Sequence, residues 1–288
     1  MSGAASPAPV LKPISVAQAV ALAAGHLERR PLLFCSDFDG TLSQIVSDPW
    51  GASILPLGRA ALRRLAGTPG VFVCVLSGRT AADVAARVRV GNVTYLGNHG
   101  LERGYLPRGG RPEALRTIFA PVERAAADEA ERLAKEVAAR IDEPWLVVER
   151  KPPAVAFHYR QAPDVGAAAA RVRSAVDELD SAGLLQRFPG RRVLELRPPG
   201  AIAKGEAMRG LLDELRPGSV FMLGDDVSDA LAFAVLRAAR ESGETDGIAA
   251  AIQARAEVPA EVAATADLVL SSPRDAARFL SALARRLT

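Results

Sequence analysis

Short apolar runs alternate with stretches of helical periodicity between residues 31 and 108. Three of these runs have the length and composition of strands buried on both faces of a parallel sheet: residues 32–36, 71–76 and 93–96. Ahead of the second run, Leu57, Ala61 and Leu65 recur every four residues, which predicts a helix with these side chains on its inner face. This order of strands and helices predicts a parallel sheet covered by helices.

The pattern changes after residue 108, where two glycines and a proline mark a hinge candidate at residues 109–112. A long charged helix then places Leu133, Val137 and Ile141 in register. Apolar and polar residues alternate cleanly in three further predicted strands: residues 146–151, 154–160 and 193–197. Such alternation is typical of an antiparallel sheet with one covered face.

Strand and helix patterns alternate again after a second hinge candidate, Pro198-Pro199-Gly200. The predicted elements are a helix at residues 204–215, strands at 220–223 and 267–270, and a last helix carrying Phe279, Leu283 and Leu287. We therefore predict an α/β fold with a Rossmann-like three-layer core and a parallel sheet. The predicted parts are a discontinuous core of residues 26–108 and 200–288, an inserted α+β domain of residues 109–199, and an N-terminal extension of residues 1–25.

The composition is that of a globular protein and argues against several classes of function. Of the 288 residues 49% are hydrophobic, and 36 basic against 33 acidic residues give a formal net charge of +3. No dense Lys/Arg block indicates a nucleic-acid partner, and no apolar run reaches the ~20 residues of a membrane span. Cys35 and Cys74 lie inside apolar runs, which favours reduced core thiols in a cytoplasmic protein.

The strongest chemical signal is the hexapeptide DFDGTL at residues 37–42. It follows the first apolar strand, so that Asp37 and Asp39 lie two positions apart at the strand end where open α/β sheets bind ligands. Asp, Gly and Thr are also ordinary turn residues. Five specified positions occur together by chance only about 10⁻³ times or less in a chain of this length, which favours a catalytic role.

Three further segments end core strands or open the helix that follows the insert. Ser77-Gly78-Arg79 offers a hydroxyl and backbone N–H groups to a phosphate oxygen, although small polar residues end many strands. Lys204 is one of four lysines in an arginine-rich chain, so a point-charge role competes with that of a solvated helix-start charge. The segment GDDVSD at residues 224–229 supplies oxygen ligands suited to Mg²⁺, while Ser228 and Asp229 also suit a helix N-cap.

In order and placement these four pieces resemble the motifs of the haloacid dehalogenase-like (HAD-like) phosphohydrolases. Within that superfamily, the chain resembles the trehalose-6-phosphate phosphatase family from about residue 32 to residue 283. The segments that carry this narrower resemblance are GNHGLE at residues 97–102, VERK at 148–151, HYR at 158–160, LELRP at 194–198 and Lys204-Gly205. One departure is that Ser228 and Ala230 stand where the family's last acidic motif has Thr and Glu, which removes one outer carboxylate.

The resemblance implies a HAD core with a C2-type cap domain and a reaction through an aspartyl-phosphate. Asp37 would attack phosphorus, and Asp39 would protonate the leaving sugar oxygen and later activate water. Ser77 and Lys204 would hold the phosphate oxygens in line. The implied cofactor is Mg²⁺, with its ligands in the first and last motifs: Asp37, Asp39, Asp225 and Asp229.

Substrate binding is implied by the same resemblance for residues of the core and of the insert. The core residues are Gly78, Arg79, Asn98, His99 and Glu102, with the last three expected on a loop, and the insert residues are Glu149, Lys151, His158, Arg160, Glu195 and Arg197. Alternation along the predicted strands of the insert puts polar side chains on one face, which could bind a sugar and exclude water on closing over the core. The same alternation also describes the ordinary wet face of a half-covered sheet.

Three other functions fit the sequence. The chain could act on another sugar phosphate, such as sucrose phosphate or glucosylglycerol phosphate, or it could be a sugar phosphomutase, since phosphomannomutases pair the Asp-x-Asp motif with an insert at this point. It could also be a catalytically silent regulator, for which Ala230 is the only hint. For an enzyme, the expected partner is a small-molecule sugar phosphate, with no nucleic acid and no membrane. Association with a trehalose-phosphate synthase stays open.

Overall fold

The computed structural model describes residues 11–46, 51–119, 123–151, 153–180, 183–190, 192–198 and 204–287. In these residues the chain divides into two compact units, Met1–Thr117 with Ile202–Thr288, and Ile118–Ala201, which we call the core unit and the inserted unit. The sequence predicted different bounds, namely a core of residues 26–108 and 200–288 around an insert of residues 109–199. These predicted bounds stay a prediction. The second hinge candidate lies partly outside the described residues, at Pro199 and Gly200.

Strands and helices are numbered in chain order. The strands are β1 (Leu32–Ser36), β2 (Val71–Leu76), β3 (Val93–Gly97), β4 (Glu102–Leu106), β5 (Thr117–Ile118), β6 (Val147–Lys151), β7 (Ala154–His158), β8 (Gln186–Gly190), β9 (Val193–Arg197), β10 (Ser219–Gly224), β11 (Asp246–Ile252) and β12 (Leu268–Leu270). The helices are α1 (Val16–Ala23), α2 (Pro56–Ala66), α3 (Ala81–Val88), α4 (Glu123–Ile141), α5 (Val165–Leu179), α6 (Lys204–Leu215), α7 (Val227–Glu241), α8 (Ala260–Thr265) and α9 (Pro273–Arg286).

The core unit is built on a sheet with the strand order β12-β11-β10-β1-β2-β3-β4-β5. The strands from β12 to β3 run parallel to their neighbours, which confirms the predicted parallel sheet. Because β10 lies beside β1, a strand that follows the insert pairs directly with the first strand of the chain. This pairing brings the two parts of the discontinuous core together.

Strand β4 runs antiparallel to β3 and was not predicted. Glu102 was expected on a loop, but it is the first residue of β4 and pairs with Gly97 of β3. The alternate residues Glu102, Gly104 and Leu106 are buried, and the residues between them are not. A five-residue strand with a glycine at its centre carries too little apolar alternation to be told from a loop.

Alternate side chains of the core strands enter two apolar clusters, one on each face of the sheet. Leu32 and Phe34 of β1 belong to the cluster that includes residues of α1, α2, α3 and α9. Leu33 and Cys35 of the same strand belong to the cluster with α6, α7 and α8. Cys35 lies in register with Cys74 of β2, and both are buried free thiols, as predicted. The predicted three-layer core is confirmed by this arrangement.

The segment predicted as an N-terminal extension, residues 1–25, is described only beyond residue 10, and its described residues belong to the core unit. The hydroxyl of Ser15 caps α1 in a capping box. Ile14 donates its backbone N–H to the carbonyl of Val269 in β12 (2.9 Å). Since buried residues of α1 join the same apolar cluster as β1, this helix is part of the covering layer.

The inserted unit contains a sheet with the order β6-β7-β9-β8, in which neighbouring strands are antiparallel. Helices α4 and α5 pack against one face, and the predicted inner residues of α4, Leu133, Val137 and Ile141, are buried there. Phe157 of β7 and Leu194 of β9 join the same cluster. Because side chains alternate along a strand, the residues next to them lie on the opposite face.

Strand β8 was not predicted, because its sequence has no apolar face. All five residues of Gln186–Gly190 are exposed, and Pro189 lies inside the strand. A proline cannot donate to the hydrogen-bond ladder and is therefore restricted to edges and bulges of sheets. The strand lies at the edge of this sheet, beside β9.

Within the described parts of the chain, no helix combines the length and the apolar character that crossing a bilayer requires.

The inner face of α2 differs from the prediction at Leu57, which is 43% exposed. Residues four apart drift by about 40° per step around an α-helix, so Leu57 and Leu65 lie on clearly different sides. Pro56 opens the helix. Ala61 and Leu65 are buried as predicted, together with Leu62.

Replacing Leu65 by alanine is expected to lower the free energy of unfolding by about 2–5 kcal/mol, because the cavity left in the core cannot collapse completely. The same substitution at Leu57, on the same helix, is expected to cost less than about 1 kcal/mol, because its side chain is largely solvated. Urea denaturation of both variants measures the difference. Equal losses at the two positions would contradict the orientation of α2.

Candidate active site

Four strand ends place the predicted catalytic segments at one edge of the core sheet. The order β10-β1-β2-β3 sets the carboxyl ends of these parallel strands side by side. Asp37 follows β1, Ser77 follows β2 and Asn98 follows β3. Asp225 follows β10. Segments far apart in sequence therefore share the edge at which open α/β sheets bind ligands.

A buried lysine joins the first acidic motif to the last. The side chain of Lys204 is 1% exposed, and its Nζ donates to Asp37 Oδ1 (2.7 Å) and to Asp229 Oδ1 (2.8 Å). Asp229 Oδ2 accepts the backbone N–H groups of Asp225 (3.0 Å) and Asp226 (3.1 Å). These charge-assisted hydrogen bonds form one network from the end of β1 to the start of α7.

Two helix starts hold this network in place. Lys204 is the first residue of α6, so its backbone is fixed while its side chain extends to the strand ends. Asp226 is the N-cap of α7, and its carboxylate accepts the backbone N–H groups of Ser228 (2.9 Å) and Asp229 (3.2 Å). Asp229 completes the capping box. The cap predicted from the sequence therefore forms on Asp226 instead of on Ser228 or Asp229.

Burial and crowding of charge perturb the ionisable groups of the network. Burial raises the pKa of Asp225 to about 7, with further increases from Asp229 and Asp226. Burial also raises the pKa of Asp37 well above its ordinary value and that of Asp229 to about 6, although Lys204 opposes both shifts. Burial alone would lower the pKa of Lys204, but the carboxylates raise it well above its usual range. The single positive charge of Lys204 is therefore too small to balance the carboxylates around it.

The excess of carboxylate charge fits a divalent cation. One oxygen from each of Asp37, Asp225 and Asp229 lies within 4.8 Å of the others. Hard cations prefer such oxygen donors, and a cation would offset the cost of burying several carboxylates together. Because Asp229 accepts hydrogen bonds on both of its oxygens, Asp37 and Asp225 are the better candidates for direct ligands.

Gly40 allows the first acidic motif to approach the last. Its φ of +80° lies in the left-handed region, which a glycine adopts without strain. A Cβ atom at this position would overlap with the Asp225 carboxylate. The glycine of the DFDGTL motif is therefore required both for the turn and for the proximity of Asp225.

Asp39 is held by an arginine. Arg79 Nε donates to Asp39 Oδ2 (2.6 Å) and Nη2 donates to Asp39 Oδ1 (2.8 Å). The same guanidinium donates to Asp83 Oδ2 (3.0 Å) and lies over the ring of Phe38, 5.6 Å from its centroid. The bidentate pair fixes the orientation of the Asp39 carboxylate. Sequence reasoning assigned Arg79 to the substrate and predicted for Asp83 only a place in a capping-box-like helix start after Thr80, so the contact between Arg79 and Asp83 was missed.

The loop of Ser77, Gly78 and Arg79 is held by the turn between β3 and β4. The backbone N–H of His99 donates to the Ser77 carbonyl (2.9 Å), and that of Asn98 donates to the Arg79 carbonyl (2.8 Å). Asn98 and His99 both have left-handed φ values, 48° and 60°. Outside glycine such values are uncommon and are concentrated at functional sites. The Ser77 hydroxyl accepts the backbone N–H of Arg79 (3.1 Å) within the loop.

Glu102, predicted to bind substrate, is directed into the core unit. Its side chain is buried, and Oε2 accepts the backbone N–H of Ala81 at the start of α3 (2.6 Å). Burial raises the pKa of Glu102, and the hydrogen bond from Ala81 opposes this shift.

In the inserted unit, the predicted polar residues lie on one face of the sheet, opposite α4 and α5. His158 Nε2 and Glu149 Oε2 are 2.8 Å apart, within hydrogen-bond distance across neighbouring strands. Arg197 Nη2 donates to Glu195 Oε2 (2.6 Å). These two pairs place hydrogen-bond donors and acceptors on a partly exposed surface.

Three further residues of the inserted unit lie in or near the predicted substrate-binding strands. Arg160 is exposed in the turn after β7, and the side chain of Lys151 lies outside the described part of the chain. Phe188 of β8 was missed. It pairs in register with Glu195, and the guanidinium of Arg197 lies 4.8 Å from its ring centroid. Its sequence context, an exposed edge strand with a proline, gave no signal.

Ala230, where the family pattern has Glu, is 5% exposed and belongs to an apolar cluster. Phe233 and Met208 lie in the same cluster. The described site therefore keeps Asp225 at the end of β10 and Asp229 on the first turn of α7, and it lacks the outer carboxylate at position 230.

The chain matches the family model for trehalose-phosphatase over residues 35–268. It is 37% identical over 279 residues to the trehalose-phosphate phosphatase of Mycobacterium bovis (strain BCG / Pasteur 1173P2), a match that covers 94% of this chain. The same match covers 65% of the relative, so the chain spans just under two thirds of that protein's length.

Solved structures share the fold at low sequence identity. The C-terminal domain of trehalose-6-phosphate phosphatase from C. albicans superposes with a TM-score of 0.69 at 21% identity, covering 96% of this chain and 98% of that one. A haloacid dehalogenase-like hydrolase from Bacteroides thetaiotaomicron has a TM-score of 0.59 at 17% identity, covering 89% and 98%. Both likenesses establish the fold, an α/β core of the type found in HAD-like hydrolases with an inserted domain.

Replacing Lys204 by methionine is expected to lower the free energy of unfolding by about 3–5 kcal/mol, because the Asp37 and Asp229 carboxylates would remain buried without their counter-charge. The matched control is Lys135→Met, since Lys135 is exposed and its surface ion pair with Glu131 is worth less than about 1 kcal/mol. Chemical denaturation at neutral pH compares the two. Equal stability of both variants would show that the buried network does not contribute.

Proposed function

The chain belongs to the trehalose-phosphatase family, and from this premise we propose that it hydrolyses trehalose 6-phosphate to trehalose and inorganic phosphate, a step of trehalose biosynthesis. The observation that carries the proposal is the contact of Asp37 with Lys204 (2.7 Å) beside Asp225. This contact brings the proposed nucleophile Asp37 and the buried ammonium group of Lys204 next to the proposed metal ligand Asp225. The name of the relatives supports the choice of substrate.

In the first step an Asp37 oxygen attacks phosphorus and the bond from phosphorus to the sugar oxygen breaks. Asp39 donates its proton to that oxygen, so that the sugar leaves as a neutral alcohol. The product on the protein is an aspartyl-phosphate, which divides one very slow hydrolysis into two easier displacements. Lys204 donates to Asp37 Oδ1 and thereby keeps the carboxylate oriented.

In the second step a water molecule attacks the aspartyl-phosphate. Asp39, now ionised, accepts a proton from the water, the bond from phosphorus to Asp37 breaks, and phosphate is released. The second step needs the Asp39 carboxylate ionised and held in one orientation, and its two hydrogen bonds to Arg79 support this.

The phosphate oxygens are bound by Ser77 and Lys204 in this proposal. Ser77 follows the strand next to β1, and its loop is held by backbone hydrogen bonds to the turn after β3. Fixed donors of this kind stabilise charge that develops at phosphorus without having to reorganise.

The proposed cofactor is Mg²⁺, held by Asp37 and Asp225 together with the backbone carbonyl of Asp39, with Asp229 fixing the surrounding backbone. When bound, Mg²⁺ would reduce the repulsion between an anionic nucleophile and an anionic substrate. The raised pKa values of Asp37 and Asp225 support the need for positive charge here.

We assign sugar recognition to the polar face of the inserted unit. Glu149, His158, Glu195 and Arg197 supply donors and acceptors for a polyhydroxylated ligand. Arg160 and Lys151 belong to the same proposal by resemblance alone, as does the role of residues 109–199 as a C2-type cap on a core of residues 26–108 and 200–288. We also propose that the protein acts in the cytoplasm on a soluble small molecule, without a nucleic-acid or membrane partner.

The alternative of a catalytically silent regulator is weakened by the residues that are present. A regulator has no need for the Asp37, Asp39 and Asp225 carboxylates on which the proposed reaction depends, whereas Ala230 alone favours it. Other sugar phosphates and a phosphomutase reaction remain alternatives that substrate and product analysis separates.

Release of inorganic phosphate from a panel of sugar phosphates tests the function. We expect hydrolysis of trehalose 6-phosphate, loss of activity with a chelator and recovery with Mg²⁺, and a decrease of at least about 1,000-fold in Asp37→Asn. Asp128→Asn, in an exposed position on α4, is the matched control and should retain full activity. Preference for another sugar phosphate, isomerised product without phosphate, or an active Asp37→Asn variant would each reject part of the proposal.

Removing polar groups from the inserted unit tests sugar recognition. His158→Ala and Glu149→Gln are expected to raise KM for trehalose 6-phosphate about tenfold, the loss of roughly one hydrogen bond to a charged group, with p-nitrophenyl phosphate unaffected. Arg150→Ala is the control, since Arg150 lies on the same strand but on the opposite face, paired with Glu131. Unchanged KM values in the first two variants would contradict the assignment.

A further inference from the structure

Glu102 places a buried carboxylate at the start of α3. Its side chain is 6% exposed, and Oε2 accepts the N–H of Ala81, the first residue of the helix, at 2.6 Å. Backbone N–H groups at this position have no partner within a helix. A carboxylate is also favoured there by the helix dipole. The contact therefore fixes where α3 begins.

The surrounding backbone is shaped to admit this carboxylate. Gly97, the residue of β3 that pairs with Glu102, lies so close that a Cβ atom would overlap with both Ala81 N and the Glu102 carboxylate. The carboxylate thus fills a space enclosed by the end of β3 and the start of α3. A side chain enclosed in this way is not directed at a ligand in solvent.

The turn that carries Glu102 also holds the loop ahead of α3. His99 donates its N–H to the Ser77 carbonyl, and Asn98 donates its N–H to the Arg79 carbonyl. A Cβ atom on Gly78 would come within 2.9 Å of the His99 ring, so the ring packs directly against the loop. The segment 77–81 is therefore held at both ends by residues 98–102.

We propose that Glu102 is a positioning residue for the phosphate-binding loop and not a ligand of the sugar. The proposal rests on the phosphatase function proposed above. By anchoring Ala81, the carboxylate fixes the segment that presents Ser77 to phosphate and Arg79 to Asp39. Its influence reaches the reacting groups through the backbone of that loop.

A comparison of two substrates distinguishes this role from sugar binding. In Glu102→Ala, kcat/KM is expected to fall by roughly 10- to 100-fold, and by the same factor for trehalose 6-phosphate and p-nitrophenyl phosphate, because the displaced loop serves both. Glu102→Gln retains a carbonyl acceptor for the Ala81 N–H and is expected to remain within about threefold of the unmodified enzyme. Glu113→Ala, exposed in the same unit, is the control.

A loss confined to trehalose 6-phosphate, expressed in KM, would overturn the proposal in favour of a sugar ligand. A Glu102→Gln variant as impaired as Glu102→Ala would also overturn it. Amide hydrogen exchange of the segment 77–85 gives a readout without substrate: exchange should accelerate in Glu102→Ala but not in Glu113→Ala, and unchanged exchange rejects the contact. If the unmodified protein hydrolyses neither substrate, the proposed function fails while the exchange measurement still decides the role of Glu102.

Discussion

The core unit depends on a lysine buried among carboxylates. Transfer of an ammonium group from water is costly, and the cost is offset only when oppositely charged partners are held at hydrogen-bond distance. Lys204 meets this condition through Asp37 and Asp229, at 2.7 and 2.8 Å. Asp37 precedes the insert in the chain, whereas Lys204 and Asp229 follow it. The network therefore forms only when both parts of the core have come together around β1 and β10.

A second arrangement, made mostly of backbone contacts, supports the groups around that network. Residues 98–102 hold the loop of residues 77–81, and this loop in turn carries Arg79, which orients Asp39. The charged groups at the end of β1 are therefore fixed from two directions, by a buried ion network and by a hydrogen-bonded loop. In the proposed reaction, the ion network sets the charge of these groups and the loop sets their geometry.

Patterns of local origin were predictable from the sequence. A wholly apolar strand such as Leu32–Ser36, buried on both faces, can be recognised without knowledge of its neighbours, and the DFDGTL motif marks its end. The cap of α3 by Thr80 follows from local hydrogen bonding in the same way. The missed elements include β4 and β8, whose alternation is interrupted by a glycine or a proline. They also include β11, a buried strand whose glycine and three alanines give it a weak strand pattern.

The sequence by itself determined the fold class, the family and the residue types of the site, because apolar periodicity and closely spaced motifs are local properties of the chain. Tertiary structure alone decided the partners of each group. Nothing in the spacing indicates that Arg79 pairs with Asp39, that Lys204 bridges two aspartates, or that Glu102 faces Ala81. Such contacts join segments that are separated along the chain and meet only at the strand ends, so they exist only once the strands have paired.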